Sequence, residues 1–144
     1  MDRRQLAAGV SEAKRRADLA ETAGEIPVGA CILSPSGEII ASASNLCEEE
    51  NDQTRHAEII CISEACRKMP GKRLLGCSLV VTLEPCLMCL GAALNAGLER
   101  VYYLVASPDS GAFSRYEVNA DIEEHHLADE TEVERLKDFF RRLR

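Results

Sequence analysis

The chain has no tryptophan and only three phenylalanines and three tyrosines, so large rings cannot fill its core and Ala, Val, Leu and Ile must. Histidine is scarce too, at three residues, which makes each one worth weighing for chemistry. No apolar run approaches the length that crosses a bilayer, and no basic, apolar leader opens the chain; the expectation is a soluble, cytoplasmic protein with no membrane partner. The glycines do not fall at dinucleotide-fingerprint spacing, and neither a phosphate loop nor a serine elbow is present, which sets aside those enzyme classes. Positive charge is in deficit, with 17 Lys and Arg against 24 Asp and Glu and a net charge of −7. That is the reverse of the excess with which nucleic-acid binders neutralise phosphate.

What is present fits one domain over residues 1–144, since 46% of the residues are apolar and the length supports a core without disulfides. The seven cysteines are odd in number and scattered, which argues for reduced thiols over a secreted disulfide framework. Cys31, Cys47, Cys61, Cys66 and Cys77 have no partner at metal-ligand spacing and read as small buried hydrophobes.

Along the chain, Leu6, Val10, Ala13, Ala17 and Ala20 recur at helical spacing between Asp2 and Gly24, which predicts an amphipathic first helix. Val28 to Leu33 and Glu38 to Ser44 read as a hairpin across Ser34-Pro35-Ser36-Gly37. Asn45 to Thr54 is a polar, acidic loop with Glu48, Glu49, Glu50 and Asp52. Arg55 to Met69 is helical and apolar almost all round, hence buried. Leu79 to Leu83 reads as a buried strand, Pro85 to about Ala96 as a helix with proline in its first turn, and Val101 to Val105 as the next strand. That strand–helix–strand unit implies a right-handed parallel crossover. Ser107 to Ala120 is loop-like, and Ile122 to Leu127 is a short strand or a loop. Asp129 and Glu132 suit a capping box for a last helix facing inward with Val133, Leu136, Phe140 and Leu143. The tail Arg141-Arg142-Leu143-Arg144 has the charge to grip phosphate, but taken alone it reads as a solvated helix end that complements its own dipole.

The chemistry gathers at Thr82-Leu83-Glu84-Pro85-Cys86-Leu87-Met88-Cys89. Positions i and i+3 share a helix face, so Cys86 and Cys89 point the same way. The free N–H groups and dipole at that helix start favour thiolate over thiol. Two thiolates at this spacing make half of a zinc site, and His56 in Arg55-His56-Ala57-Glu58 would supply a third ligand. Three protein ligands leave the fourth tetrahedral position open, as in catalytic zinc sites. Glu58 sits two residues beyond the histidine, poorly placed as a ligand yet able to reach a water on the metal and move its protons. Taken alone, Pro-Cys-x-x-Cys could be a structural zinc site or a redox motif, and His-Ala-Glu an ordinary helix start. Together and in this order they point to catalytic zinc, about one per chain. His125 and His126 are adjacent, cannot both face one site, and read as surface residues.

These residues resemble the cytidine/deoxycytidylate deaminase superfamily, and within it most closely the bacterial tRNA adenosine deaminases. The matching stretches are Glu25-Ile26-Pro27-Val28-Gly29-Ala30, Asn45, His56-Ala57-Glu58-Ile59, Thr82 to Cys89, Arg100-Val101, Leu127-Ala128-Asp129-Glu130 and Asp138-Phe139-Phe140-Arg141. The resemblance implies an α/β fold, a three-layer α/β/α sandwich on a mixed five-stranded sheet. It implies zinc on His56, Cys86 and Cys89, Glu58 as acid/base, and a target base held by Asn45 and the chain at Val28, Leu83 and Pro85. It also implies a homodimer that converts the wobble adenosine of a tRNA anticodon loop to inosine.

Two departures bear on the substrate. Ala106, Ser107 and Asp109 stand where the tRNA branch carries an Arg-Asp pair and a lysine, although Gly111 is kept. The carboxylates of 48–52, just before His56, would repel an anticodon's phosphates within a screening length of about 8–10 Å. The alternatives are deamination of a free base or nucleoside (guanine, cytosine or cytidine, adenosine) by the same mechanism, and a zinc-stabilised subunit without catalysis, which the presence of Glu58 disfavours.

Overall fold

The computed structural model describes residues 1–143; Arg144, the end of the basic tail, lies outside them. Helix α1 (Arg3–Thr22) opens on a capping box in which Asp2 and Gln5 each accept from the other's backbone N–H. Strands β1 (Gly29–Leu33) and β2 (Ile39–Ser44) form the expected antiparallel hairpin. Helix α2 (Ala57–Lys68) follows the acidic loop, then β3 (Ser78–Leu83), α3 (Leu87–Ala96) and β4 (Arg100–Val105). A short strand β5 (Glu123–His126) and helix α4 (Glu130–Arg142) complete the order.

The five strands form one mixed sheet in the order β2-β1-β3-β4-β5. β1 runs antiparallel to β2 and β3, whereas β3, β4 and β5 are mutually parallel. The ambiguous stretch after Ile122 is therefore a strand, fully exposed along a sheet edge. Its Glu123, Glu124, His125 and His126 make that edge unattractive to further strands. His125 stacks on Tyr102 and His126 on Tyr103, so the two histidines part to opposite faces as their adjacency requires.

The central strands are covered on both faces and are largely apolar. Ile32, Leu79, Val81 and Val101 pack toward Ala57, Cys61, Ala65 and Ala93 of α2 and α3. Cys31, Leu33 and Val80 pack toward Ala13 of α1, and Leu104 toward Leu136 of α4. These two cores give the three layers. Small residues let α1 approach closely: a Cβ on Gly29 would lie 2.1 Å from the Ala13 carbonyl oxygen.

Two local expectations are corrected. Pro85 does not occupy the first turn of α3; it precedes Cys86, the extended residue at the helix N-cap, which places Cys89 in the first turn. Helix α4 buries Glu132, Leu136 and Phe139, while Phe140 and Leu143 are exposed. The reason is electrostatic: Glu132 is drawn inward beside Arg135, which also reaches Asp18 on α1. That rotates the face which hydrophobicity alone selects.

Candidate metal and deaminase site

Strands β3 and β4 both end at one edge of the sheet, the end at which α/β folds bind ligands. After β3, Cys86 begins the turn into α3 and Cys89 follows within that helix. His56 is the N-cap residue of α2, held extended just before the first helical turn. The three side chains converge, with His56 Nδ1 lying 3.6 Å from Cys86 Sγ and 3.5 Å from Cys89 Sγ. Tetrahedral zinc with Zn–S of about 2.3 Å and Zn–N of about 2.0–2.1 Å sets sulfur and nitrogen ligands about 3.5 Å apart. The donor set therefore fits zinc in both chemistry and spacing, and among the described residues it is the one cluster of its kind.

The three ligand side chains are coupled electrostatically. A hydrogen bond from Cys89 and the neighbouring His56 hold the Cys86 thiol down to about 4, while Cys89, buried beside that thiolate, is pushed up. Contact with Cys86 raises His56. Glu58 lies on the first turn of α2 with 4% of its surface exposed, and burial pushes its carboxyl up to about 7. A carboxyl poised there can both take and give a proton at neutral pH.

These groups open into a cavity of about 730 Å³. Val28, Asn45 and Leu83 line it beside His56, Glu58 and Cys86. Asn45 Oδ1 accepts the Ala57 N–H at 2.8 Å, so the amide nitrogen is the group left to face a ligand. Pro85 is not among the lining residues, and its carbonyl accepts the Ala112 N–H. Ser107, Pro108, Asp109 and Ser110 form a further wall, and Lys137, Phe140 and Arg141 of α4 reach the cavity from the C-terminal side. A second cavity, of about 850 Å³, opens at the amino ends of β4 and β5 and contains none of the expected site residues.

The acidic stretch 48–52 does not line this cavity. Buried Glu25 accepts the N–H groups of Glu48 and Glu49, both at 2.9 Å, and no residue of 46–55 lines the cavity. Sequence reasoning also passes over Glu84, whose carboxylate is the best-connected polar group at the site. Its place inside the Pro-Cys motif, next to a buried strand, is the available signal.

Comparison with known proteins agrees with this site. A family model for the cytidine and deoxycytidylate deaminase zinc-binding region matches residues 3–105. A tRNA(Ile)-lysidine synthase of Deinococcus deserti is 47% identical over 107 residues, covering 74% of this chain but 20% of that protein, so the chain spans about a fifth of that relative's length. A tRNA-specific adenosine deaminase of Aquifex aeolicus is 40% identical over 139 residues, covering 92% of this chain and 91% of the relative. A structure solved in a study of A-to-I editing by tRNA:A34 deaminases at the wobble position superposes with a TM-score of 0.77 at 33% identity, covering 84% of this chain and 98% of that one. With the ligand triad, the sheet order and these matches in agreement, the chain belongs to the zinc-dependent cytidine and deoxycytidylate deaminase family.

Proposed function

We propose that the protein is a hydrolytic deaminase that converts adenosine to inosine at the wobble position of a tRNA anticodon, with His56, Cys86 and Cys89 as zinc ligands and Glu58 as acid and base. The observation that carries the substrate reading is the make-up of the cavity mouth. The acidic residues 48–52 take no part in its lining, whereas Lys137, Phe140 and Arg141 do. Among the described residues Lys137 and Arg141 pair with Glu134 and Asp138 on their own helix, exposed contacts of the kind that exchange readily for phosphate. Phe140, 44% exposed, offers a ring on which a base can stack.

Zinc held by His56, Cys86 and Cys89 would supply a Lewis acid that brings the ionisation of water to about pH 7. Glu58 would take one proton from the attacking water and give it to the ring nitrogen, then take the remaining proton of the added hydroxyl and give it to the departing amine, so that the base gains oxygen and ammonia leaves. Asn45 holds the base through its amide nitrogen, with Val28 and Leu83 against the ring.

A second copy of the chain is the proposed partner, because Leu87, Met88 and Leu94 leave an exposed apolar surface on α3; the mass of the protein in solution tests this. A tRNA substrate would put the reaction in the cytoplasm, and no described helix is long and apolar enough to cross a membrane. The deciding experiment is inosine formation in an anticodon stem-loop with a wobble adenosine, using zinc-loaded protein at modest salt. Conversion that disappears in Glu58→Ala supports the reading. No conversion by zinc-loaded wild type transfers the activity to free bases and nucleosides, assayed by ammonia release.

A further inference from the structure

We propose that Glu84 is a positioning residue for this site: its buried carboxylate holds the Ser107–Ser114 loop as a wall of the substrate cavity, and so sets how tightly substrate is held, not how fast it reacts. The proposal rests on the deaminase reading and names the element that shapes its substrate pocket.

Glu84 is 3% exposed and stands between Leu83, the last residue of β3, and the Pro85-Cys86 turn. Among the described residues no cation pairs with it. Its charge is met instead by donors from one loop. Oε1 accepts the Ser107 N–H at 2.9 Å and the Ser114 hydroxyl at 2.5 Å. Oε2 accepts the N–H groups of Phe113 and Ser114 at 2.9 and 2.8 Å. A carboxylate taken out of water is tolerated when it is satisfied to this degree, and each such charge-assisted bond is stronger than a neutral one.

The backbone reinforces the clamp. Glu84 donates its N–H to the Val105 carbonyl, and Ala112 donates to the Pro85 carbonyl, at 2.8 and 2.9 Å. Gly111 lies against the carboxylate so closely that a Cβ there would sit 2.3 Å from the Glu84 carboxyl carbon. The loop has no helix or strand of its own to hold it. Its residues Ser107 to Ser110 face the same cavity as Asn45, His56 and Glu58, none of which Glu84 contacts by a hydrogen bond. One side chain thus ties the metal-bearing turn to the wall that a substrate must meet. A wall that is loose before binding has to be ordered by the substrate, which weakens binding and leaves the reacting groups as they were.

Glu84→Gln tests this, because it preserves shape and replaces one acceptor by a donor. The amide oxygen is needed by the N–H pair of Phe113 and Ser114. The amide nitrogen then faces the Ser114 hydroxyl, which can turn to accept, and the Ser107 N–H, which cannot. The variant should therefore free the loop at Ser107, where it lines the cavity, and keep it tied at residues 113–114. With zinc retained at about one per chain, KM for the anticodon stem-loop is expected to rise roughly tenfold, with kcat within about threefold of wild type. Amide hydrogen exchange should speed up at residues 107–110 and hold steady at 113–114. Ser114→Ala, which keeps three of the four donors, should raise KM about twofold and carries the test if the first variant does not fold.

An unchanged KM and unchanged exchange, or loss of zinc from a folded Glu84→Gln protein, would overturn the proposal. Failure of zinc-loaded wild type to form inosine would instead defeat the tRNA reading; the exchange pattern and the KM measured on a free base or nucleoside would still decide the role of Glu84.

Discussion

Around the cavity, the wall formed by the β3–α3 turn, Asn45 and the start of α2 sits on buried apolar residues, among them Ala57, Cys61, Leu79 and Val81. The wall formed by Ser107–Ser110 and α4 is held in another way. The loop hangs on the Glu84 carboxylate. Helix α4 buries only Glu132, Leu136 and Phe139, and reaches α1 through Lys14–Asp129 at 2.6 Å, Arg135–Asp18 at 2.5 Å and the Arg142–Glu21 pair. Apolar contacts do not respond to salt or to mild acid, whereas ion pairs near the surface respond to both. The scaffold beneath the reacting groups is thus insulated from charge screening, and the parts that meet the substrate are exposed to it.

The contrast breaks hardest at Glu58. Glu58→Gln should lower the single-turnover rate of inosine formation by roughly 10²–10⁴-fold, with zinc content retained, because proton transfer is lost. A drop of less than tenfold would remove Glu58 from its role. Next comes the metal. With free zinc a thousandfold above its dissociation constant, binding stabilises the fold by about 4 kcal/mol. A chelator should therefore lower the melting temperature and abolish turnover, and added zinc should restore both. A melting temperature indifferent to chelation would detach the triad from zinc.

On the outer wall the effects are smaller and depend on the medium. Lys137→Ala and Arg141→Ala should each raise KM for the stem-loop several-fold and lower the slope of log affinity against log salt by about 0.7–0.9 for each phosphate no longer neutralised. Neither should alter deamination of a nucleoside, which has no phosphate. The smallest effect is at Asp129, which caps α4 and whose carboxyl Lys14 holds below its ordinary value of 3.8. A depressed carboxyl contributes stability that is complete above the ordinary value and is lost as pH falls through it and below. Asp129→Asn should cost about 0.5–1 kcal/mol at pH 7, and the difference from wild type should shrink as pH is lowered through and below 3.8, as read by urea unfolding across that range.

What can be read from the sequence follows the same division. The metal triad is legible because two cysteines at i and i+3 and a His-x-Glu pair are local patterns whose chemistry is in the side chains. The sheet is legible through Leu79–Leu83 and Val101–Val105, apolar runs that match strands buried on both faces. The outer wall is not. The partners of Glu84 are backbone N–H groups 23 to 30 residues away, which no residue type announces. Hydrophobic spacing misjudges the inward face of α4, because a glutamate buried beside an arginine violates the pattern on which it relies. The acidic loop is legible in charge but not in place, since Glu25 gathers its amides and holds it off the cavity lining.

Strand direction at β5 has a consequence for how such a protein can change. Because β5 runs parallel to β4, the chain leaves it at the edge of the sheet where His56, Cys86 and Cys89 converge, and α4 starts beside the cavity. An antiparallel β5 would release the chain at the far edge and leave that side of the cavity uncovered. Alterations after His126 can therefore redraw the entrance while the catalytic floor stays as it is, which makes the C-terminal segment the natural place for new substrate preferences to arise at little cost to folding.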